Sequence, residues 1–414
     1  MNKYGKMILG ENQEYILDCY ETQLNNNVLV VGTSGAGKTR SIVTPNLLEA
    51  TGSYVVSDPK GNLYKKYGEY LREQGYTVRL LDFTNPEISD RYNFFDYINS
   101  TQDIVTTAHM LIYDGNQGNH ADPFWDQAAQ LLVQSLIAYL RESCAKHEQN
   151  FHNLLKLVNI CLSSGDMDNK ETIMDSMMKD LKRAHPDSYA ARTYDKFRVA
   201  ASKTLRSILI TVNAKLGLFD TPEVAEMTAY DEMYIPVIGQ EKSVVFVIVS
   251  DTDRSMDPLA NLFFTQAMNQ LCRFADKHCE DNRLPVPVRF ILDDFATNCK
   301  IAEFPRMIAS IRSRGISTML MIQAESQLSK CYGNDGATII GNCDTYVYMG
   351  GNDIETAAAV AQRADVPVKR ILNMPVGTNW IFRRGQNPVN GKNFDLEPYW
   401  KQKINGKEVL EKAA

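Results

Sequence analysis

Val28-Leu29-Val30-Val31-Gly32-Thr33-Ser34-Gly35-Ala36-Gly37-Lys38-Thr39 decides how this chain is read. Four apolar, mostly β-branched residues run into G-x-x-x-x-G-K-[ST], and a helical stretch, Thr39–Ala50, follows. Strand, glycine-rich turn and helix in that order make a phosphate-binding loop. The glycines let the backbone curl until several N–H groups face one anion, and the helix adds its positive end. Gly32, Thr33, Ser34, Gly35, Ala36, Gly37, Lys38 and Thr39 are therefore the candidate triphosphate-binding residues. Lys38 brings a mobile charge to the β and γ phosphates, and the Thr39 hydroxyl serves Mg²⁺.

Working outward, further buried-strand runs occur at Tyr54–Val56, Val78–Leu81, Val244–Val249, Phe290–Leu292, Thr318–Ile322 and Tyr346–Met349. Helical patterns at Leu63–Gln74, Leu259–Lys277, Phe304–Ser313 and Ile354–Ala364 lie between them. Continuous apolar strands alternating with helices predict an α/β fold, a mainly parallel sheet covered on both faces. From about Ser100 to Tyr230 no strand is expected, and helical periodicity is good at Trp125–Ser143, Phe151–Leu162, Thr172–Arg183, Ala190–Ala201 and Leu205–Gly217. The expected organisation is a nucleotide-binding part over 1–99, an all-α insertion over 100–235, a second nucleotide-binding part over 236–385, and a loose Asn/Gly/Lys-rich tail over 386–414.

The 414 residues are 44% apolar and 23% charged, enough for a sizeable core, and the net charge of −6 confines any nucleic-acid contact to a local patch. Eight cysteines, Cys19, Cys144, Cys161, Cys272, Cys279, Cys299, Cys331 and Cys343, form no C-x-x-C pair and no cluster with histidine. They read as reduced, mostly buried thiols of a cytoplasmic protein. No signal peptide opens the chain, and no apolar run approaches the ~18–20 residues that span a bilayer.

A loop of this kind needs a carboxylate at a neighbouring strand end. Asp58, Asp82, Asp251 and Asp293 all close apolar runs. Asp293 is preferred because it is doubled, in Arg289-Phe290-Ile291-Leu292-Asp293-Asp294-Phe295-Ala296. Asp293 then serves the metal and Asp294 polarises the attacking water as general base, the other reading being a solvated acidic turn. Gln323 ends the next apolar run, 29 residues past Asp294, and is either a γ-phosphate sensor or a surface residue. Arg312 and Arg314 either cap a helix or reach a neighbouring subunit's phosphate.

These residues resemble the TraG/TraD class of type IV secretion coupling proteins. Asp58-Pro59-Lys60-Gly61, Leu292-Asp293-Asp294-Phe295-Ala296, Gln323-Ala324-Glu325-Ser326-Gln327-Leu328, Gly341-Asn342-Cys343-Asp344 and Asp122-Pro123-Phe124-Trp125 carry the likeness, over roughly residues 28–385. The resemblance implies a RecA-like core that hydrolyses ATP with Mg²⁺, assembles as a homo-hexamer, and bears an all-α domain facing the relaxosome. It also implies single-stranded DNA, a relaxase and type IV secretion channel subunits as partners, at the cytoplasmic face of the membrane. Arg312, 11 residues before Gln323, stands where the family places its trans-acting arginine. Two departures stand out. Asp294 replaces the usual glutamate, one methylene and about 1.5 Å shorter in reach, a scale that matters to rate. The 27 residues before Val28 are polar where the family has membrane-spanning helices, so membrane contact is expected through a partner or a missing N-terminal anchor. An FtsK- or HerA-like double-stranded DNA translocase and a nucleotide-bound docking receptor with little hydrolysis are the rival readings.

One basic stretch breaks the acidic balance. Lys179, Lys182, Arg183, Arg192, Lys196, Arg198, Lys203 and Arg206 face only Asp180, Asp187 and Asp195, with Tyr189, Tyr194 and Phe197 interleaved. It reads as a solvated helix face or as a surface for DNA phosphates and stacked bases.

Overall fold

A computed structural model describes residues 5–112, 123–163, 171–297 and 299–411. The chain forms two compact units: Met1–Leu80, Ile235–Asp251 and Leu271–Ala414 make the first, and Leu81–Tyr234 with Thr252–Gln270 the second. The change of unit comes at Leu81, earlier than the expected boundary near Ser100. Residues 83–99 contain no strand, and their aromatics are core residues of the second unit: Tyr92 packs edge-on against Phe263 at 5.2 Å, and Phe94 against Phe151 at 5.5 Å.

In the first unit a hairpin, β1 (Lys6–Gly10) and β2 (Gln13–Ile16), precedes β3 (Val28–Val31). Then come β4 (Ser53–Ser57), β5 (Thr77–Asp82), β6 (Ser243–Ile248), β7 (Val288–Leu292), β8 (Ile316–Ile322), β9 (Thr345–Tyr348), β10 (Thr378–Arg383) and β11 (Val389–Lys392). Nine of these form one sheet in the order β11-β10-β9-β3-β8-β7-β4-β6-β5. From β9 to β6 the neighbours run parallel, and β10 and β11 add an antiparallel edge. The four residues of β3 are wholly buried, with Val31 opposite Ile322 on one side and Tyr348 on the other. That placement explains their uninterrupted apolar run: a central parallel strand has helices over both faces and no polar side.

Three expectations are corrected. The expected helix Thr39–Ala50 opens as a wide π-type turn over Thr39–Val43 before the α-helix Thr44–Leu48. Phe304–Ser313 is a short α-helix, Phe304–Met307, and a separate 3₁₀ turn, Ile311–Arg314, closed by Gly315 at φ 77°. The loose tail after residue 385 is instead β11 and a helix, Leu396–Glu411. Val389-Asn390-Gly391-Lys392 has no apolar period and becomes a strand only because β10 offers a complementary ladder, Trp380 opposite Asn390. The helix is anchored by Trp400, whose ring meets Tyr67 and Tyr70 edge-on at 5.0 and 5.1 Å.

The second unit contains no strand after Asp82 among the described residues. Its helices are Thr101–Ile112, Pro123–Ser143, Phe151–Ser163, Ile173–Ala184, Tyr189–Arg198, Ser202–Leu216 and Pro222–Met227, joined by the first part of Asp257–His278. Helix starts follow local chemistry. At Ile173 the Thr172 hydroxyl accepts from the Asp175 N–H at 3.1 Å, while the Asp175 carboxylate accepts from the Thr172 N–H at 2.9 Å. This capping box satisfies two otherwise orphaned donors. Asp122 of the Asp-Pro-Phe-Trp element lies outside the described residues; Phe124 and Trp125 stack edge-on at 5.3 Å in the first turn of their helix.

Candidate nucleotide-binding site

The loop leaves β3 with the Gly32 N–H donating to the Ile322 carbonyl at 3.1 Å and the Thr33 N–H to the Gly350 carbonyl at 3.0 Å. Gly35 and Gly37 then take φ of +80° and +90°, where only glycine turns freely. A Cβ at Gly35 would meet nothing within 4 Å, so conformation and not crowding demands glycine there, and the loop rim stays open. Thr33, Ser34 and Gly35 are exposed on that rim, while Lys38 is buried.

Lys38 reaches back across the loop. Its Nζ donates to the Gly32 carbonyl at 2.6 Å and the Thr33 carbonyl at 3.2 Å. Burial pulls its ammonium below the usual lysine range, opposed by the charges of Asp294 and Asp293. Thr39 Oγ1 donates to Asp293 Oδ2 at 2.5 Å, so residues 254 apart in sequence meet across the end of β8, which separates β3 from β7 in the sheet. Asp293 is 8% exposed. Burial raises its pKa, the Thr39 hydrogen bond and Lys38 oppose the rise, and Asp294 adds to it.

β7 stops because the backbone turns left-handed immediately after Asp293. Asp294 has φ 52° and Ala296 φ 69°. Aspartate tolerates this region better than most residues. The turn is fixed by the Asp294 N–H to Asp293 Oδ1 at 3.2 Å and the Phe295 N–H to the Met321 carbonyl at 2.9 Å. Asp294 emerges half-buried beside the Thr39–Asp293 pair.

This donor set suits a magnesium–nucleotide group. One hydroxyl and one carboxylate are what Mg²⁺ takes from protein when phosphates and water complete its octahedron. Among the described residues no cluster of three or more His, Cys, Asp or Glu offers an all-protein metal cage. The open glycine rim and the buried ammonium supply the phosphate side.

The other strand-end aspartates have local duties. Asp58 Oδ2 accepts from the Tyr64 N–H at 2.9 Å and caps the helix Asn62–Glu73, after Gly61 turns at φ 65°. Asp82 Oδ1 accepts from the N–H groups of Thr84 and Asn85, at 2.9 and 3.0 Å. Asp251 is exposed. Geometry thus picks Asp293 from four similar sequence signals.

Burial lifts the Asp58 carboxyl to about 6, against the lowering pull of the Tyr64, Leu63 and Asn62 N–H groups, with Asp293 adding to the rise. The folded state therefore holds a proton that an unfolded aspartate releases near pH 3.8. Its stabilising contribution is complete below about pH 4 and is lost as pH rises to about 6, on the order of 2–3 kcal/mol. Asp58→Asn keeps the accepting oxygen and removes the titration. Urea melts at pH 4 and pH 7 should show the wild type losing stability relative to this variant; parallel pH profiles would refute the assignment.

Gln323 follows Ile322 directly, next to Gly32, and is exposed. Its N–H donates to Gln327 Oε1 at 2.7 Å, and Gln327 Nε2 donates to Thr297 Oγ1 at 3.2 Å. Gln327, not singled out from sequence, thereby ties the Gln323 turn to the loop that carries Asp294. Arg312 lies elsewhere. It precedes the first residue of β8, at the opposite end of that strand from Gln323, and seven strand residues span about 20 Å. Its Nη2 donates to the Cys19 carbonyl at 2.9 Å. Within one chain it is therefore remote from Lys38 and Asp293.

The sequence also gave no hint of Asn393. Its Nδ2 donates to the Ala36 carbonyl of the phosphate loop at 3.3 Å, while its Oδ1 is buried without a partner. Asparagine in a polar, aperiodic stretch carries no signal until β11 delivers it.

The basic stretch is corrected in part. Tyr194 and Phe197 are 3% exposed and belong to the core of the second unit, so neither stacks on a base. Arg198 is tied to Asp175 at 2.9 Å, Lys182 to Asp195 at 2.6 Å and Lys179 to Glu171 at 3.0 Å. Arg192, Lys196, Lys203 and Arg206 are exposed. No helix among the described residues is long and apolar enough to cross a membrane.

Residues 4–364 match the family described as type IV secretory system conjugative DNA transfer. The chain is 20% identical over 379 residues to the type IV secretion system-coupling protein VirD4 of Bartonella henselae, covering 88% of this chain and 57% of that one. It spans about half the length of the curated relatives it matches. The fold is similar to that of the bacterial conjugative coupling protein TrwBdeltaN70 in complex with sulphate, with a TM-score of 0.67 at 17% identity over 90% of this chain and 87% of that one. The plasmid coupling protein TrwB in complex with ADP and Mg²⁺ is similar at a TM-score of 0.64 and 16% identity, over 89% and 85% of the two chains. The first unit is thus a RecA-like P-loop core and the second a helical domain, as the family resemblance implied, with the mainly parallel sheet that the alternation of strands and helices predicted.

Proposed function

From the membership of this chain in the type IV secretory system conjugative DNA transfer family, we propose that it is an ATP-hydrolysing coupling protein that recruits single-stranded DNA with its bound relaxase and drives it to a type IV secretion channel. The observation that carries hydrolysis is the 2.5 Å bond between Thr39 Oγ1 and Asp293 Oδ2, which assembles the metal side of the site beside an open phosphate loop. TrwB, whose fold is similar, has been seen with ADP and Mg²⁺.

In this reading Gly32 to Thr39 hold the triphosphate, and Lys38 leaves its loop carbonyls for the phosphates. Thr39 and Asp293 hold Mg²⁺, which when bound neutralises phosphate charge and polarises the γ-phosphoryl group. Asp294 takes the proton of the attacking water, and Gln323 orients that water. Arg312, remote from its own loop, serves the phosphate of a neighbouring copy in a homo-hexameric ring. The exposed Arg192, Lys196, Lys203 and Arg206 offer phosphate contacts to DNA or to the relaxase complex. The chain acts at the cytoplasmic face of the membrane, alongside the channel subunits.

Phosphate release by the purified protein, measured with and without single-stranded DNA at rising salt, tests this. Stimulation by DNA that fades with salt is expected. Tight ATP binding with no turnover under any DNA condition would make the chain a docking receptor instead.

A further inference from the structure

At the N-terminal edge of the sheet, where β4, β7 and β8 begin, a cavity of about 50 Å³ is lined by Arg283, Arg289 and Arg312 together with Asn26, Thr51 and Ser317. No carboxylate lines it. Arg289, the second residue of β7, is 7% exposed, and its one hydrogen bond among the described residues runs from Nε to Ser317 Oγ at 3.3 Å. Arg312 donates to the Cys19 carbonyl, and Arg283 lies over the Tyr20 ring at 5.2 Å with Nη2 3.7 Å from Cys19 Sγ. Among the described residues none of the three meets an acid. Arg314, by contrast, holds Asp276 through two bonds of 2.8 Å. Acids are available in this neighbourhood, and the cavity has none.

A buried guanidinium without a counter-charge is costly unless something neutralises it. The guanidinium fork matches the oxygens of a phosphate-like anion, with two donors per group. The cavity exceeds the roughly 10–15 Å³ that a single water needs, so it has room for a small polyatomic anion. Burial also pulls the Arg289 guanidinium below the ordinary arginine range, as expected for a cation lacking its partner.

We propose that this cavity is a binding site for a free, phosphate-sized tetrahedral oxyanion, with buried Arg289 at its floor and the half-buried Arg283 and Arg312 at its rim. The site is complete within one chain. It does not involve the phosphate loop, and because its rim shares Arg312 with the role proposed toward a neighbouring copy, it is tested on dilute protein.

The test is calorimetric titration of the dilute, nucleotide-free full chain with sodium phosphate, in a Lys38→Ala background so that the phosphate loop does not compete, and at ionic strength fixed with chloride. One phosphate per chain should bind to folded Lys38→Ala protein, and sulfate should displace it. Adding Arg289→Lys keeps the charge but not the fork and should weaken binding about tenfold or more. Adding Arg289→Met should abolish it, and should that variant fail to fold, the Arg289→Lys comparison decides. No phosphate uptake at millimolar concentration by folded Lys38→Ala protein, undiminished uptake with Arg289→Lys, or equal displacement by chloride would each overturn the proposal.

Discussion

Lys38→Ala is expected to lower ATP turnover by about 10²–10³-fold or more while leaving the fold intact. Lys38 is the buried cation of the loop, and its two hydrogen bonds go to Gly32 and Thr33 carbonyls at the rim where phosphate oxygens would sit. Its ammonium is thus parked on acceptors that negative phosphates replace with stronger ones. Alanine removes the charge where γ-phosphoryl charge builds in the transition state. It disturbs little else, since the bonds lost are local to the loop and the desolvation of a buried ammonium is relieved. Coupled-enzyme turnover with a thermal melt on the same sample checks both halves. Wild-type turnover in this variant would remove the loop from the chemistry altogether.

Asp294→Asn is expected to cost about 10²–10⁴-fold in turnover and little in ATP affinity, the signature of a lost general base. The substitution is conformationally quiet. Asp294 stands at φ 52°, and asparagine accepts the left-handed region as readily as aspartate. The Asp294 N–H bond to Asp293 Oδ1 comes from the backbone and survives. Asp293→Asn would differ, since it weakens the carboxylate that accepts from Thr39 and so the metal side of the site. Single-turnover hydrolysis alongside ATP titration separates the two carboxylates. Asp294→Asn protein that hydrolyses normally would move the base to another residue.

Much of this was legible in the sequence because the features involved are local. Val28–Thr39 sets its own conformation: buried β-branched residues make the strand, and glycines at positive φ make the turn. The doubled aspartate at Asp293 marks a strand end for the same reason. What stayed hidden depends on partners far along the chain. Asp58, Asp82 and Asp293 look alike in sequence, and only the adjacency of β3, β8 and β7 brings Thr39 to one of them. Val389–Lys392 has no strand period, and its ladder is borrowed from β10. Tyr194 and Phe197 looked like stacking aromatics amid basic residues, but at helical spacing they face inward. Arg312 could be assigned a role by likeness, yet its separation from its own loop appears only once β8 is laid down.

The order of the sheet also says when the site comes into being. β3 is held on both sides by β8 and β9, which leave the ribosome some 285 residues after Val31. At roughly 5–20 residues per second, Val28-Leu29-Val30-Val31 emerges about 15–60 s before either neighbour exists. For that interval a fully apolar strand has no ladder and no cover, the condition in which nascent chains need protection from aggregation. Nucleotide therefore has no finished cradle to bind until β8 and β9 have emerged, and does not template the strands that come before them. Nucleotide capture is conferred by the later strands β8 and β9, not by the loop that touches phosphate.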